Sequence, residues 1–294
     1  MNTVDTPIYR LQRGTAPVLI SIPHLGTHLP DDLRAGYTEA ALQLADTDWH
    51  LDRLYAFAHE LGIGMLSAKV SRYVIDLNRP ASGESLYPGQ ATTGLCPTET
   101  FHGEPLYHPD AEPDDAEVAR RVHTYWQPYH QALADELARL RAQHGQVLLW
   151  EAHSIASRCP RLFDGKLPDL NFGAHSGAAC SNAVLDAVLA PLTGKSPQGR
   201  ATPNPPPEGV ESTWGGPALT HGGLTHVVNG RFKGGWITRH FGQPQQGIHA
   251  IQLEMCQNLY MDETAPFGWR EDQAEAIQPV LRSLLESALA HFVA

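Results

Sequence analysis

The stretch "QVLLWEAHS", residues 146–154, decides how the chain is read. Val147, Leu148, Leu149 and Trp150 follow one another without a polar break, the mark of a strand buried on both faces. Glu151, His153 and Ser154 then stand where such a strand ends. In a regular strand Glu151 and His153 project to the same side. Three readings of that end compete: a capped strand, a Ser/His catalytic pair, or one corner of a metal site.

Outward from this strand, short β-rich runs alternate with stretches of helical periodicity. "APVLISIP" (16–23) reads as a second buried strand, "DTDWHLDRLYAFAHELG" (46–62) as a helix stopped by Gly62, and "GMLSAKVSRYVIDLNRP" (64–80) as one or two strands closed by Pro80. Residues 82–113, rich in Gly, Pro and Thr, predict a long irregular excursion. Val118, Val122, Trp126, Tyr129, Leu133, Leu137 and Leu140 step by three or four residues along a helix over 114–144, in which Pro128 predicts a kink. "AHSGAACSNAVLDAVLAPL" (174–192) is expected to be helical, "LTHVVNG" (224–230) and "GIHAIQLEM" (247–255) to be strands, and 272–294 to be a terminal helix. Residues 193–223 hold too much Pro and Gly for a core element and read as a flexible insert in a single domain spanning 1–294. The alternation implies an α/β fold with a central mixed β-sheet flanked by helices on both faces. Ligands of such sheets sit at the carboxyl ends of the strands.

A chain of 294 residues, 42% hydrophobic, has material for a substantial core. Its net charge of −11 argues against nucleic acid or an anionic membrane as the main partner. Cys96, Cys159, Cys180 and Cys256 form no CxxC pair, so reduced thiols are expected. The N-terminus has no basic segment followed by an apolar run, and no uncharged apolar stretch nears the roughly 20 residues of a spanning helix. A soluble, cytoplasmic protein is expected. Sixteen histidines against 21 Lys and Arg direct attention to metal or acid/base chemistry.

The strand ends deliver His24, then Arg72, Asp76, Asn78 and Arg79, then Glu151 and His153, and finally Glu254. A hydrolytic zinc site needs three nitrogen or oxygen ligands, an open position, and a separate carboxylate to take a proton from water. His24 and His153 are the natural nitrogen ligands. The short form H-x-x-E is absent, because Thr27 stands three residues after His24. Asp48 is the chosen acidic ligand, with Asp46, Asp52, His28 and Glu151 as alternatives; capping of the 46–62 helix is the competing role for Asp46 and Asp48.

Six segments now resemble one family: "ISIPHLGTHLP" (20–30), "DTDWHLDRLY" (46–55), "SRYVIDLNRP" (71–80), "LLWEAHS" (148–154), "GRFKGGWITRHFG" (230–242) and "QLEMCQNLYMDE" (252–263). Together, in this order, they are similar to the N-formylglutamate amidohydrolases of histidine degradation, which resemble zinc carboxypeptidases and aspartoacylases. The resemblance implies their fold, one divalent metal ion with zinc the first choice, and hydrolysis of N-formyl-L-glutamate to formate and L-glutamate. It implies that Asn78 and Arg79 grip a substrate carboxylate, that Arg72 stabilises the oxyanion, that Glu254 is the general base and that His153 is the second histidine ligand. A dianionic small molecule needs a second carboxylate holder. Arg239 is chosen, with Arg231 behind it, since the flanking glycines let backbone approach a ligand.

Three other readings stay in view. The same metal site could serve another N-acyl amino acid or small peptide. A serine hydrolase would use Ser154 or Ser176, but G-x-S-x-G is absent. A metal-free binding module would use the arginines without chemistry.

Overall fold

The computed structural model describes residues 7–86, 89, 92–193 and 219–293. Its strands are β1 (Tyr9–Gln12), β2 (Val18–Ile22), β3 (Gly64–Ala68), β4 (Val147–Ile155), β5 (Leu170–Gly173), β6 (Leu219–His221), β7 (Leu224–Val228) and β8 (Ile248–Cys256). Its α-helices are α1 (Asp31–Arg34), α2 (Glu39–Leu42), α3 (Leu51–Leu54), α4 (Asp115–Arg121), α5 (Gln127–His144), α6 (Asn182–Thr193), α7 (Trp236–Phe241) and α8 (Glu271–Val293). The eight strands form one sheet in the order β1-β3-β2-β4-β8-β5-β7-β6. Strands β3, β2, β4 and β8 run parallel, whereas β1 and β5 lie antiparallel to β3 and β8. The sheet is therefore mixed, as the alternation of elements implied.

The alternation of side chains along the central strands explains both the core and the site. On one face Val18, Ile20 and Ile22 of β2, Leu148, Trp150 and Ala152 of β4, and Ile251, Leu253 and Met255 of β8 pack with α6 and α8. That face is apolar along the middle of these strands, with Ser154 and His249 its buried polar residues at the ends of β4 and β8. On the other face Leu19, Val147, Leu149 and Ala250 pack with Tyr129, Leu133 and Leu137 of α5. Further along, this second face turns polar, at Ser21, at Glu151 and His153, and at Gln252 and Glu254, all buried. Buried polar groups persist only where partners satisfy them, so the change marks the carboxyl ends of the sheet as a built site.

Several local expectations are corrected. The segment 46–62 is not one helix: α3 begins only at Leu51, after His50 takes a left-handed φ of 62°, and a 3-10 helix follows over Ala56–Leu61. His50, not an aspartate, occupies the N-cap, and no side chain caps that helix. Within 64–80 only Gly64–Ala68 is a strand; from Ser71 the chain leaves the sheet. The helical stretch after Asp114 stays continuous, a π-helical turn at Val122–Trp126 carrying it to Pro128 in the first turn of α5. Residues 178–181 are not helical, and α6 starts at Asn182. Of the insert expected at 193–223, residues 194–218 lie outside the described residues. Its two ends are regular, Thr193 closing α6 and Leu219–His221 pairing with β7 across Gly222 and Gly223, whose φ values of 57° and 85° suit a tight hairpin. All four cysteines are free. Among the described residues no helix is long and apolar enough to cross a membrane.

Candidate active site

His24 follows β2 directly, and its backbone carbonyl accepts the Asp48 amide at 3.0 Å. That bond brings the 46–49 turn under the end of the sheet. Because the helix starts late, Asp48 sits in a turn and aims its carboxylate inward instead of capping. Asp48 Oδ2 lies 3.0 Å from His153 Nδ1 and 3.8 Å from His24 Nδ1. The three buried residues His24, Asp48 and His153 each offer one ligand atom, all within 4.8 Å of one another. Asp46 is employed elsewhere, its Oδ2 accepting the Phe101 amide at 2.8 Å.

The other edge of each imidazole meets a carboxylate. His24 Nε2 donates to Asp76 Oδ1 at 2.7 Å, and His153 Nε2 donates to Glu151 Oε1 at 2.7 Å. With the hydrogens on Nε2, both Nδ1 lone pairs face Asp48, the arrangement in which outer carboxylates orient metal-binding histidines; the Asn78 side-chain amide also lies 3.0 Å from His153 Nε2. An unprotonated Nδ1 and a carboxylate oxygen at 3.0 Å are two acceptors, and a proton or a metal ion between them satisfies both. Burial alone would lower the His153 pKa, but Asp48 and Glu151 hold it well above the ordinary value. His24, by contrast, is lowered by burial and by the Arg72 cation. Donors on a tetrahedral ion with bonds of about 2.1 Å sit roughly 3.4 Å apart, and the observed 3.0 and 3.8 Å bracket that figure. The three donors are placed so that they could hold a metal ion.

Asp76 is the hub that the sequence did not single out. Fully buried, it accepts from His24 through Oδ1, from the Asn78 amide at 2.8 Å, and from Arg72 through Oδ2 at 2.7 Å. Burial alone would raise its pKa, but the positive ends of His24 and Arg72 hold it well below the usual range. Arg72 is stacked over the Phe101 ring at 4.7 Å. Glu254 stands opposite His153 in the parallel pairing of β4 and β8. Burial raises its pKa to about 8, Asp48 adding to the effect and His153 opposing it. Gln252 Nε2 donates to Glu254 Oε2 at 3.3 Å, while Gln252 Oε1 accepts the Gly235 amide at 2.6 Å.

His24, Asp48, Arg72, Asn78, Arg79, His153, Arg231 and Glu254 line one cavity. Arg239 is not among its described lining residues; its Nε donates to the Gly234 carbonyl at 2.8 Å and a terminal nitrogen donates to that of Leu86. The structure thus reverses the order of the two arginines, bringing Arg231 to the cavity wall. Glu151 is satisfied on both oxygens, with Thr238 donating its backbone and hydroxyl groups to Oε2. Ser154 accepts from the Tyr260 hydroxyl at 2.7 Å. The exposed Ser176 has no place in the cavity lining among the described residues.

The family profile described as N-formylglutamate amidohydrolase matches residues 16–261. The chain belongs to the N-formylglutamate amidohydrolase family. Over 286 residues it is 49% identical to the N-formylglutamate deformylase of Pseudomonas aeruginosa and 47% identical to that of Pseudomonas putida, in each case over 96% of both chains. The crystal structure of N-formylglutamate amidohydrolase from Ralstonia eutropha JMP134 superposes with a TM-score of 0.73 at 23% identity, covering 96% of each chain. That likeness shows the α/β fold of the family. The family's match spans every cavity residue named above, from His24 on the first buried strand to Glu254 on the last.

Proposed function

We propose that this chain hydrolyses the formamide of N-formyl-L-glutamate to formate and L-glutamate, with one divalent metal ion, zinc the first choice, held by His24, Asp48 and His153. The observation that carries the reading is the meeting of two ring nitrogens and a carboxylate oxygen within 4.8 Å, in a chain that matches relatives named for that reaction. When bound, the ion would polarise the formyl carbonyl and acidify water. Glu254, which lines the cavity opposite His153 on the neighbouring strand, is placed to accept a proton from the attacking water and return it to the departing amine. Arg72, steered by Asp76, faces the cavity as a fixed donor for the developing oxyanion. Asn78 and Arg79 take one substrate carboxylate and Arg231 the other, since a dianion in a cavity that already holds Asp48 and Glu254 requires cations at both ends.

Metal analysis combined with deformylase assays tests the reading. His24→Ala and Asp48→Ala are expected to lose metal, and Glu254→Gln to keep metal while turnover falls about 10²- to 10⁴-fold. N-formyl-L-glutamate is expected to outcompete N-acetyl-L-aspartate and N-succinyl-L-glutamate in kcat/KM. Preference for a longer acyl group would assign the site to another N-acyl amino acid, and full activity without metal would overturn the metal site.

A further inference from the structure

The segment Asp76–Arg79 has no regular secondary structure, yet it carries the hub carboxylate and both members of the proposed carboxylate clamp. The side chains have direct anchors, Asn78 in His153 and the Ile237 amide and Arg79 in Thr93, but in irregular backbone every buried carbonyl also needs a partner from elsewhere, and those partners fix the backbone from which the side chains project. Leu77 O accepts from His130 Nε2 at 2.9 Å. Arg79 O accepts from Trp126 Nε1 at 2.9 Å. Both donors stand on one helical face, four residues apart at the junction of the π turn and α5, with ring centroids 3.9 Å apart. Trp236, at the start of α7, packs against both at 4.9 and 4.7 Å, and its backbone amide reaches Asn78 O at 3.4 Å.

Packing alone does not account for His130. It is 5% exposed, and among the described residues its Nδ1 has no hydrogen-bond partner. An orphaned buried nitrogen is destabilising, and phenylalanine would fill the same aromatic box without it. What the imidazole adds is the donor to Leu77 O. π turns, moreover, appear frequently beside functional sites, and this one ends on Trp126.

We propose that Trp126 and His130 are positioning residues that set the aim of Asn78 and Arg79, and through them the affinity for one substrate carboxylate. The inference rests on the reading of Asn78 and Arg79 as a carboxylate clamp. Neither ring lines the cavity among the described residues, so the effect passes through the backbone of 77–79.

The test uses the metal-loaded full chain and three substrates: N-formyl-L-glutamate and two analogues, each lacking one of its carboxylates. Arg79→Ala first identifies the clamp's carboxylate, as the one whose removal makes KM insensitive to that substitution. If neither analogue shows this, the clamp reading fails and the inference with it. If one does, Trp126→Phe and His130→Phe are expected to raise KM for the full substrate about tenfold with kcat changed less than about twofold and metal content intact. KM for the identified analogue is expected to stay unchanged. His130→Gln, which restores a neutral donor, is expected to bring KM back to within about threefold of the parent. An equal rise in KM on both analogues, a loss of kcat on all three substrates, or no rescue by Gln would assign the pair to general packing and overturn the proposal.

Discussion

Asp76→Asn tests how much of the site hangs on one carboxylate. The substitution is close to isosteric, so its effect comes from charge and donor count. Asp76 accepts three hydrogen bonds of 2.7, 2.7 and 2.8 Å with no exposure to solvent. An amide has a single acceptor oxygen. Set at the Oδ1 position, that oxygen keeps His24 and the Asn78 amide, and the NH2 group is then driven against the Arg72 guanidinium. Breaking a buried ion pair on one side costs about 3–5 kcal/mol; the nearby Asp46 and Asp48, which also attract Arg72, place the expectation at the lower end, about 3 kcal/mol. Weaker orientation of His24 is expected to lower metal affinity about 10- to 100-fold. Denaturant unfolding of chelator-treated protein reads the first quantity, and metal titration against a competing chelator reads the second. A variant within about 0.5 kcal/mol of the parent, a change typical of surface positions, and within twofold in metal affinity would refute the assignment of Asp76 as the hub.

Three further outcomes are expected. In Gly235→Ala the new methyl would lie 2.2 Å from Asn78 Nδ2; displacement of that amide should lower kcat/KM about 10²-fold, while metal analysis finds the ion retained. Ser154→Ala leaves Tyr260 its second acceptor, the Trp49 carbonyl at 2.9 Å, so kcat should stay within about fivefold; a loss of about 10⁴-fold or more would instead make Ser154 a nucleophile. Burial lowers the His130 pKa to about 3, so the unfolded chain binds this proton more tightly than the folded one. Its contribution is therefore fully present above the unfolded value of about 6.5 and is lost as pH falls toward 3, about 2 kcal/mol of it by pH 5. Unfolding curves of the parent and of His130→Gln at pH 7 and 5 check this, and parallel losses in the two proteins would contradict it.

The legible parts of the fold were those written in local pattern. Strands β2, β4 and β8, buried at twenty-two of their twenty-three positions, could be read from their unbroken runs, and α5 and α8 from their periodicity. Strands β1 and β5, four residues each, are too short to announce themselves, and each is defined by pairing with strands distant in sequence, β1 with β3 and β5 with β7 and β8. The helix expected over 46–62 failed at His50, whose left-handed φ no glycine signalled. That failure concerns the site directly, since it frees Asp48 from a capping role. His24 and His153 were visible as polar residues at the ends of apolar strands. Asp76 was visible only as a residue, since its role lies in a partner 52 positions away in sequence, His24, and Glu151, weighed as an alternative ligand, holds His153 two residues on, with Thr238 87 positions away on its other oxygen. Arg231 and Arg239 share a glycine-rich segment, and composition cannot tell which of two arginines turns inward.

The pairing of His153 with Glu254 across β4 and β8 amounts to a gauge block. Neighbouring strands keep a separation of about 4.8 Å whatever side chains they carry, so the distance between the proposed metal ligand and the proposed base is machined by backbone hydrogen bonds. The carboxylate-binding groups are mounted differently, on the irregular 76–79 segment and on the turn that holds Arg231. Such a division lets one part of the tool be refitted without recalibrating the other: changes in those turns can alter which acid is gripped while the spacing that governs proton transfer stays where the sheet has set it.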